Sequence, residues 1–316
     1  MSESELAVLL EAVRKSEEPA ISLVLADWLE EFGDEAGRAR AEYIRLDHRA
    51  RHDAELSGQL WVEQRLAEIR GVYGPAWLGP LAALRGLTHW TLHRGLLWVW
   101  LRPAILKGDR LALVAMQARF VWLKVFRSGG WKRRDLRKLF AASSLKGISA
   151  IEILNSRGPT PVGTLMRNRA IEQLQRLRIL HGALGDASLR RIAHSLEGGA
   201  LHALELPFNR IGSPGLVWLA RSRLLARLEV LNLEANRIGP RGLVALVRSP
   251  HLPKMHLKLA FNRVRGRGAE RLAQLPGLAR LRSLDLGWNG IGAAGLDRLR
   301  SSPYLQGHLV ADGNGE

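Results

Sequence analysis

The stretch LHALELPFNRI (residues 201–211) decides the fold, because its spacing of leucines before an asparagine recurs further along the chain. The later copies are LEVLNLEANRI (228–238), KMHLKLAFNRV (254–264) and LRSLDLGWNGI (281–291). The slot asparagines Asn209, Asn236, Asn262 and Asn289 follow one another at steps of 27, 26 and 27 residues. Self-similarity at such a period is typical of stacked repeat architectures.

Each copy combines a strand signal with a helix signal. The segment around the last two leucines alternates with period two, as a short strand does. A glycine and a leucine pair at helical spacing follow, as in Gly215-Leu-x-x-Leu219. One strand and one helix cannot bury their own apolar faces, so the coils must stack. Strands pack closer together than helices, which predicts an α/β solenoid in a horseshoe arc, with parallel strands inside and helices outside.

The spacing continues towards the N-terminus while the residues in the asparagine slot change. Gly182, Ser156, Ser128 and Arg102 occupy that slot in the earlier units, giving about eight units over residues 94–300. An asparagine amide caps backbone groups of neighbouring coils, and glycine cannot, so we expect a less regular arc before residue 190. The tail, with Leu305, His308 and Val310, predicts a short closing strand.

These repeats resemble the leucine-rich repeat family, in its ribonuclease-inhibitor-like subclass of alternating strand and full helix. The resemblance implies a parallel-stranded horseshoe that commonly holds another protein. We therefore divide the chain into residues 1–80, an all-α domain, and residues 81–316, the repeat domain.

The N-terminal segment carries four helical patterns. Its run LADWLEEFGD (25–34), with AEYIRL (41–46), resembles the small repeat-companion domain that precedes leucine-rich repeats in bacteria. That resemblance implies a bacterial intracellular protein and carries over no catalytic residue. Within the run, we expect Asp27 to pair with an arginine such as Arg38 or Arg40, and Trp28 to fill the core; the alternative is an exposed docking motif.

Composition excludes several classes of protein. The chain has 316 residues and no cysteine, which rules out disulfide scaffolds, thiolate metal ligands and cysteine nucleophiles. No catalytic signature is present, and we expect no enzyme activity, no catalytic residue, no metal and no cofactor. The longest apolar run is six residues, so no membrane span is expected. The acidic N-terminus lacks a secretory signal, which predicts a cytoplasmic protein.

The inner face of the predicted arc offers a candidate partner-binding site. One row of side chains comprises Arg178, Glu205, Lys258 and Asp285, which alternate in charge. The row just before the asparagine slot contains Phe208, Phe261 and Trp288, and exposed aromatic side chains on a rigid wall are typical interface anchors. We expect the aromatic row to anchor a protein partner and the charged row to set its register. The open alternative is that the aromatic rings pack against neighbours or beneath the C-terminal tail.

The net charge of the chain indicates the charge of its partner. The net charge is +17, with residues 1–60 at −7 and the remainder at +24, so an acidic protein is the expected partner. Arg210, Arg237 and Arg263 follow the slot asparagine in successive units and predict an arginine ladder, which gives nucleic-acid binding as the alternative function. Arginine accounts for 39 of the 47 basic residues, which is also what a GC-rich genome produces without selection for binding. The oligomeric state is not predicted.

Overall fold

A computed structural model describes residues 3–15, 18–53, 55–83, 87–101, 121–126, 132–142, 150–154, 160–168 and 171–314. The described residues fall into two compact units, one ending at Lys124 and the other beginning at Val125. The division of the chain at residues 80 and 81 into two domains stays a prediction. The slots at Arg102, Ser128 and Ser156 lie outside the described residues.

The N-terminal unit begins with four helices, as the sequence predicts. They are α1 (Glu3–Lys15), α2 (Pro19–Phe32), α3 (Glu35–His52) and α4 (Leu60–Leu78), followed by a 3-10 helix at Gly79–Ala83. Pro19 starts α2 with a preset backbone angle, and the Asp34 carboxylate caps α3 by accepting the Gly37 amide at 2.7 Å. Leu10, Leu25 and Ile44 form the core of this unit.

A β-hairpin follows these helices and was not predicted. Strand β1 (Leu87–His93) pairs antiparallel with β2 (Leu96–Leu101), whereas the sequence pattern indicated only the second strand. The two turn residues, Arg94 and Gly95, have φ angles of 53° and 80°, the left-handed values that a tight hairpin requires. The Arg40 guanidinium donates to the Gly95 carbonyl, and burial lowers the pKa of Arg40 to about 10.

Asp27 pairs with an arginine, but the predicted partners were wrong. Its carboxylate accepts from Arg45 at 2.7 Å, while Arg38 donates to the Gly33 carbonyl. Trp28 packs against the core of the unit. Arg45 lies on α3, opposite Asp27 on α2, so the packing of the two helices selects it over arginines closer in sequence.

The second unit alternates strands with helices. Its strands are β4 (Ala150–Leu154), β5 (Arg176–Ile179), β6 (Ala203–Glu205), β7 (Val230–Asn232), β8 (Met255–Lys258), β9 (Leu281–Asp285) and β10 (His308–Val310). Strand β3 (Val121–Phe126) runs across the division between the units. Each strand from β4 to β9 pairs in parallel with the next, which confirms the predicted parallel sheet.

The helices of the second unit lie outside this sheet. They are α5 (Arg133–Ala141), α6 (Val162–Leu165), α7 (Asp186–Ser195), α8 (Ser213–Arg221), α9 (Pro240–Val247), α10 (Arg265–Ala273) and α11 (Gly292–Arg300). Helix α6 has four residues, whereas α7 to α11 have eight to ten. The strand and helix leucines from Leu201 to Leu299 are buried between the two layers.

A ladder of asparagine side chains joins consecutive coils. The Asn236 amide group donates to the Leu206 carbonyl of the preceding coil at 2.9 Å and to Leu233 of its own coil at 3.0 Å. Its oxygen accepts the Ile211 amide at 3.0 Å. Asn209, Asn262 and Asn289 make the equivalent bonds, so each slot satisfies buried backbone groups that neither strand nor helix can pair.

The ladder has a fifth member that the sequence pattern missed. Asn314 donates to the Leu286 carbonyl at 2.7 Å and accepts the Ile291 amide at 3.2 Å. The closing strand β10 is present, but Leu309 rather than His308 pairs with Leu284. The predicted register was therefore wrong by one residue, which in a strand exchanges the two faces.

Candidate interaction surface

The predicted charged row forms a continuous line across the sheet. Strand pairing places Glu152, Arg178 and Glu205 side by side, and continues through Asn232, Lys258 and Asp285. The parallel register therefore brings together residues that are 26 or 27 positions apart in sequence.

Half of this row is engaged in ion pairs. Arg178 lies 3.5 Å from the Glu152 carboxylate and 3.9 Å from Glu205, and Arg176 donates to Glu205 at 2.7 Å. Both glutamates are buried. A partner would have to break these contacts to use the Arg178 or Glu205 charges, whereas Lys258 is exposed and Asp285 is partly exposed.

The aromatic row lies just beyond the strands, one residue before each slot asparagine. Phe208, Phe261 and Trp288 are 45%, 49% and 58% exposed, among the largest values for apolar side chains of the described residues. Their exposure leaves the rings accessible to a partner.

The backbone of this row has an unusual conformation. The φ angles are 53° at His181, 54° at Phe208, 50° at Ala235, 56° at Phe261 and 57° at Trp288. Bulky residues rarely adopt this left-handed region, which costs about 1 kcal/mol or more per residue.

The stack of coils imposes the conformation, because each amide of the row bonds to the next coil. Phe208 donates to the Glu234 carbonyl at 3.0 Å, Phe261 to Gly287 at 2.8 Å and Trp288 to Asp312 at 2.8 Å. Glycine fits such a site without strain. The sequence nevertheless places large rings there, and strain retained in this way is characteristic of functional positions.

The rings are ordered in two groups on either side of Ala235. His181 and Phe208 lie 4.5 Å apart between ring centroids, and Phe261 and Trp288 lie 5.6 Å apart with nearly parallel planes. Gly313 holds the last position of the row, with φ of 69°, and a side chain there would collide with the Trp288 ring. The tail thus supports Trp288 from one side but leaves it exposed.

The predicted arginine ladder lies beside the aromatic row. Arg210, Arg237 and Arg263 are exposed, and their amides donate to the Leu184, Ile211 and Ile238 carbonyls at 2.7 to 2.9 Å. Equivalent bonding in three successive coils places the three residues at the same point of each coil. The backbone positions of the ladder arginines therefore follow those of the aromatic row by two residues in each of these coils.

The described residues contain no group of three His, Asp or Glu side chains able to hold a metal ion. No helix among them has the length and apolar character needed to cross a membrane.

The repeats are similar to those of known proteins. A leucine-rich repeat family model matches residues 227–247 and 280–299. An internalin from Listeria monocytogenes is among the similar solved structures, with 19% identity, a TM-score of 0.38, and coverage of 65% of this chain and 59% of that chain. No curated protein matches the sequence significantly.

The family match covers parts of two coils, and the observed alternation of strand and helix is similar to that of leucine-rich repeats. Leucine-rich repeat proteins generally bind other proteins, using the extended surface that stacked coils present.

Proposed function

We propose that this protein is a non-enzymatic scaffold, adaptor or inhibitor that binds an acidic protein, and that it acts in the cytoplasm. The partner lies on the strand side of the coils, with Phe208, Phe261 and Trp288 as its anchors. The observation that carries the proposal is the row of exposed rings held in the left-handed backbone region.

The electrostatics support an acidic partner. The anchors lie beside the exposed guanidinium groups of Arg210, Arg237 and Arg263, and the chain carries +17 overall. Complementary charge of this kind accelerates encounter and disfavours basic partners. Lys258 and Asp285 provide the charges that fix the orientation of the partner, while Arg178 and Glu205 hold the sheet face in shape through their ion pair.

The test compares the tagged wild type with two tagged variants as bait in the cytosol of the source cell. Phe208→Ala/Phe261→Ala/Trp288→Ala should lose the acidic protein that the wild type retains. Trp61→Ala, which removes an exposed ring from α4, should retain it. An aromatic triple variant that captures the same protein as the wild type would contradict the proposal.

Nucleic-acid binding is the second candidate, favoured by the equivalent positions of the three ladder arginines. Arg210→Glu/Arg237→Glu/Arg263→Glu is compared with Arg271→Glu/Arg298→Glu/Arg300→Glu, an equal charge change on the outer helices α10 and α11. Both variants are tested for retention on single-stranded nucleic acid across a salt series. Loss of retention in the ladder variant alone would favour this candidate.

A further inference from the structure

A second site lies on the helical side of the same unit, between helices α7 and α8. A cavity of about 580 Å³ is lined there by Arg190, Arg191, His194, Trp218 and Arg221, together with Ala187, Ala193, Ser195, Glu197 and Ser222. This volume is within the range of about 300–1,000 Å³ that is usual for small-molecule sites.

The Trp218 ring organises the cations of this cavity. The Arg190 guanidinium carbon lies 4.1 Å from the ring centroid, and that of Arg221 lies 6.0 Å from it. Arginine stacked on an aromatic face is held in place while its N–H groups stay available at the edges. Trp218 is itself 41% exposed, so part of the ring still faces the cavity.

The positive charge of the cavity is not neutralised by the protein. Among the described residues, no carboxylate lies within salt-bridge distance of Arg190, Arg191 or Arg221. The lining contains one carboxylate, Glu197, which accepts the Arg223 amide at 2.8 Å. The Arg191 guanidinium lies against Gly163 of α6, so two guanidinium groups, those of Arg190 and Arg221, face one carboxylate in the cavity.

The helix dipoles oppose an anion at this place, because Arg221 ends α8 and Ser195 ends α7. The carboxyl end of a helix carries roughly half a negative charge. Binding of an anion here therefore depends on direct contacts with the Arg190 and Arg221 guanidinium groups and not on the overall charge of the cavity.

We propose that this cavity binds a small organic phosphate monoester, with Arg190 and Arg221 holding the phosphate and the Trp218 ring contacting the organic group. A phosphate group presents several oxygens to these two guanidinium groups, and guanidinium groups bind phosphate oxygens in pairs. The exposed Ala187 adds apolar surface to the lining, which favours an organic group over the bare ion. This site is separate from the aromatic row and does not depend on the proposed protein partner.

The experiment titrates the full-length protein with phenyl phosphate and with inorganic phosphate by calorimetry. Phenyl phosphate should bind more tightly, and the indole N–H resonance of Trp218, assigned from Trp218→Phe, should shift on addition. Arg190→Gln/Arg221→Gln should weaken phenyl phosphate binding about tenfold or more, since two charge-assisted contacts are lost.

The matched control is Arg271→Gln/Arg298→Gln, which removes the same charge from exposed positions of the outer helices. It should bind phenyl phosphate within about twofold of the wild type, because exposed charges distant from the ligand are screened by salt. Equal weakening in the two double variants, an unshifted Trp218 resonance, or inorganic phosphate binding as tightly as phenyl phosphate would overturn the proposal. Thermal melts of both double variants confirm that each is folded.

Discussion

The rings of Phe261 and Trp288 lie parallel, 4° apart in plane and 5.6 Å apart between centroids, although 27 residues separate them. Each ring belongs to its own coil, and the two coils are joined by the backbone bond from Phe261 to Gly287. The ring stack therefore continues the coil-to-coil contacts at the surface. Gly313 contacts the outer side of this stack, against the Trp288 ring.

Replacing Gly313 with alanine should disturb this stack. The added methyl group would lie 2.4 Å from the Trp288 ring, and the left-handed backbone at this position disfavours any side chain. We expect a loss of about 1–2 kcal/mol in unfolding free energy and a changed near-ultraviolet circular dichroism. Gly198→Ala is the control, because nothing lies within 4 Å of that position. Identical spectra and stabilities for the two variants would refute the role of Gly313.

Removing one rung of the asparagine ladder should be costly. Asn236→Ala leaves the buried Ile211 amide and the Leu206 and Leu233 carbonyls without this partner. We expect a loss of roughly 3 kcal/mol, measured by denaturant unfolding, since each unsatisfied buried group costs about 1–3 kcal/mol. Arg237→Ala, at the adjacent exposed position, should change stability by less than about 0.5 kcal/mol. If Asn236→Ala also changed the unfolding free energy by less than about 0.5 kcal/mol, water would be shown to replace the amide.

Acid should destabilise the second unit through two partly buried histidines. Burial lowers the pKa of His202, which Arg176 also lowers and Glu229 raises, and burial likewise lowers the pKa of His256 below the usual 6.5. The unfolded chain then binds protons first as the pH falls, so stability is full above about pH 6.5 and decreases below it.

Denaturant unfolding at pH 7.5 and pH 5 measures this effect. The decrease should be smaller in His202→Gln/His256→Gln than in the wild type, because the variant lacks both titrating groups. His194→Gln, at an exposed position, is the control and should behave as the wild type. An unchanged pH dependence in the double variant would assign the decrease to other groups.

Two glycines of the N-terminal unit should respond in opposite directions to alanine. At Gly95 the new Cβ would lie 2.8 Å from Ile44 and 3.0 Å from Leu25, with φ at 80°, so we expect a loss of about 2 kcal/mol. At Gly71, exposed within α4 and with nothing within 4 Å, alanine should stabilise by about 0.5–1 kcal/mol. Thermal melts compare the two, and a stabilising Gly95→Ala would contradict the observed packing of the hairpin turn.

The sequence by itself determined the coils, the slot positions from Asn209 to Asn289, and the neighbours of the charged row. These follow from a pattern repeated within each coil, because burial of the leucines fixes which side chains face outward. Strand pairing confirms the adjacency of Glu205, Asn232 and Lys258 that the pattern predicts.

Only the tertiary structure decided which groups meet across coils and helices. In the structure Asp27 pairs with Arg45, and Asn314 occupies the final slot. The backbone of the aromatic row lies in the left-handed region. Arg190 and Arg221 lie close to the Trp218 ring. The local sequence pattern does not predict these contacts, because they depend on distances between residues that are far apart along the chain. Such distances are set by the packing of neighbouring coils and helices against one another.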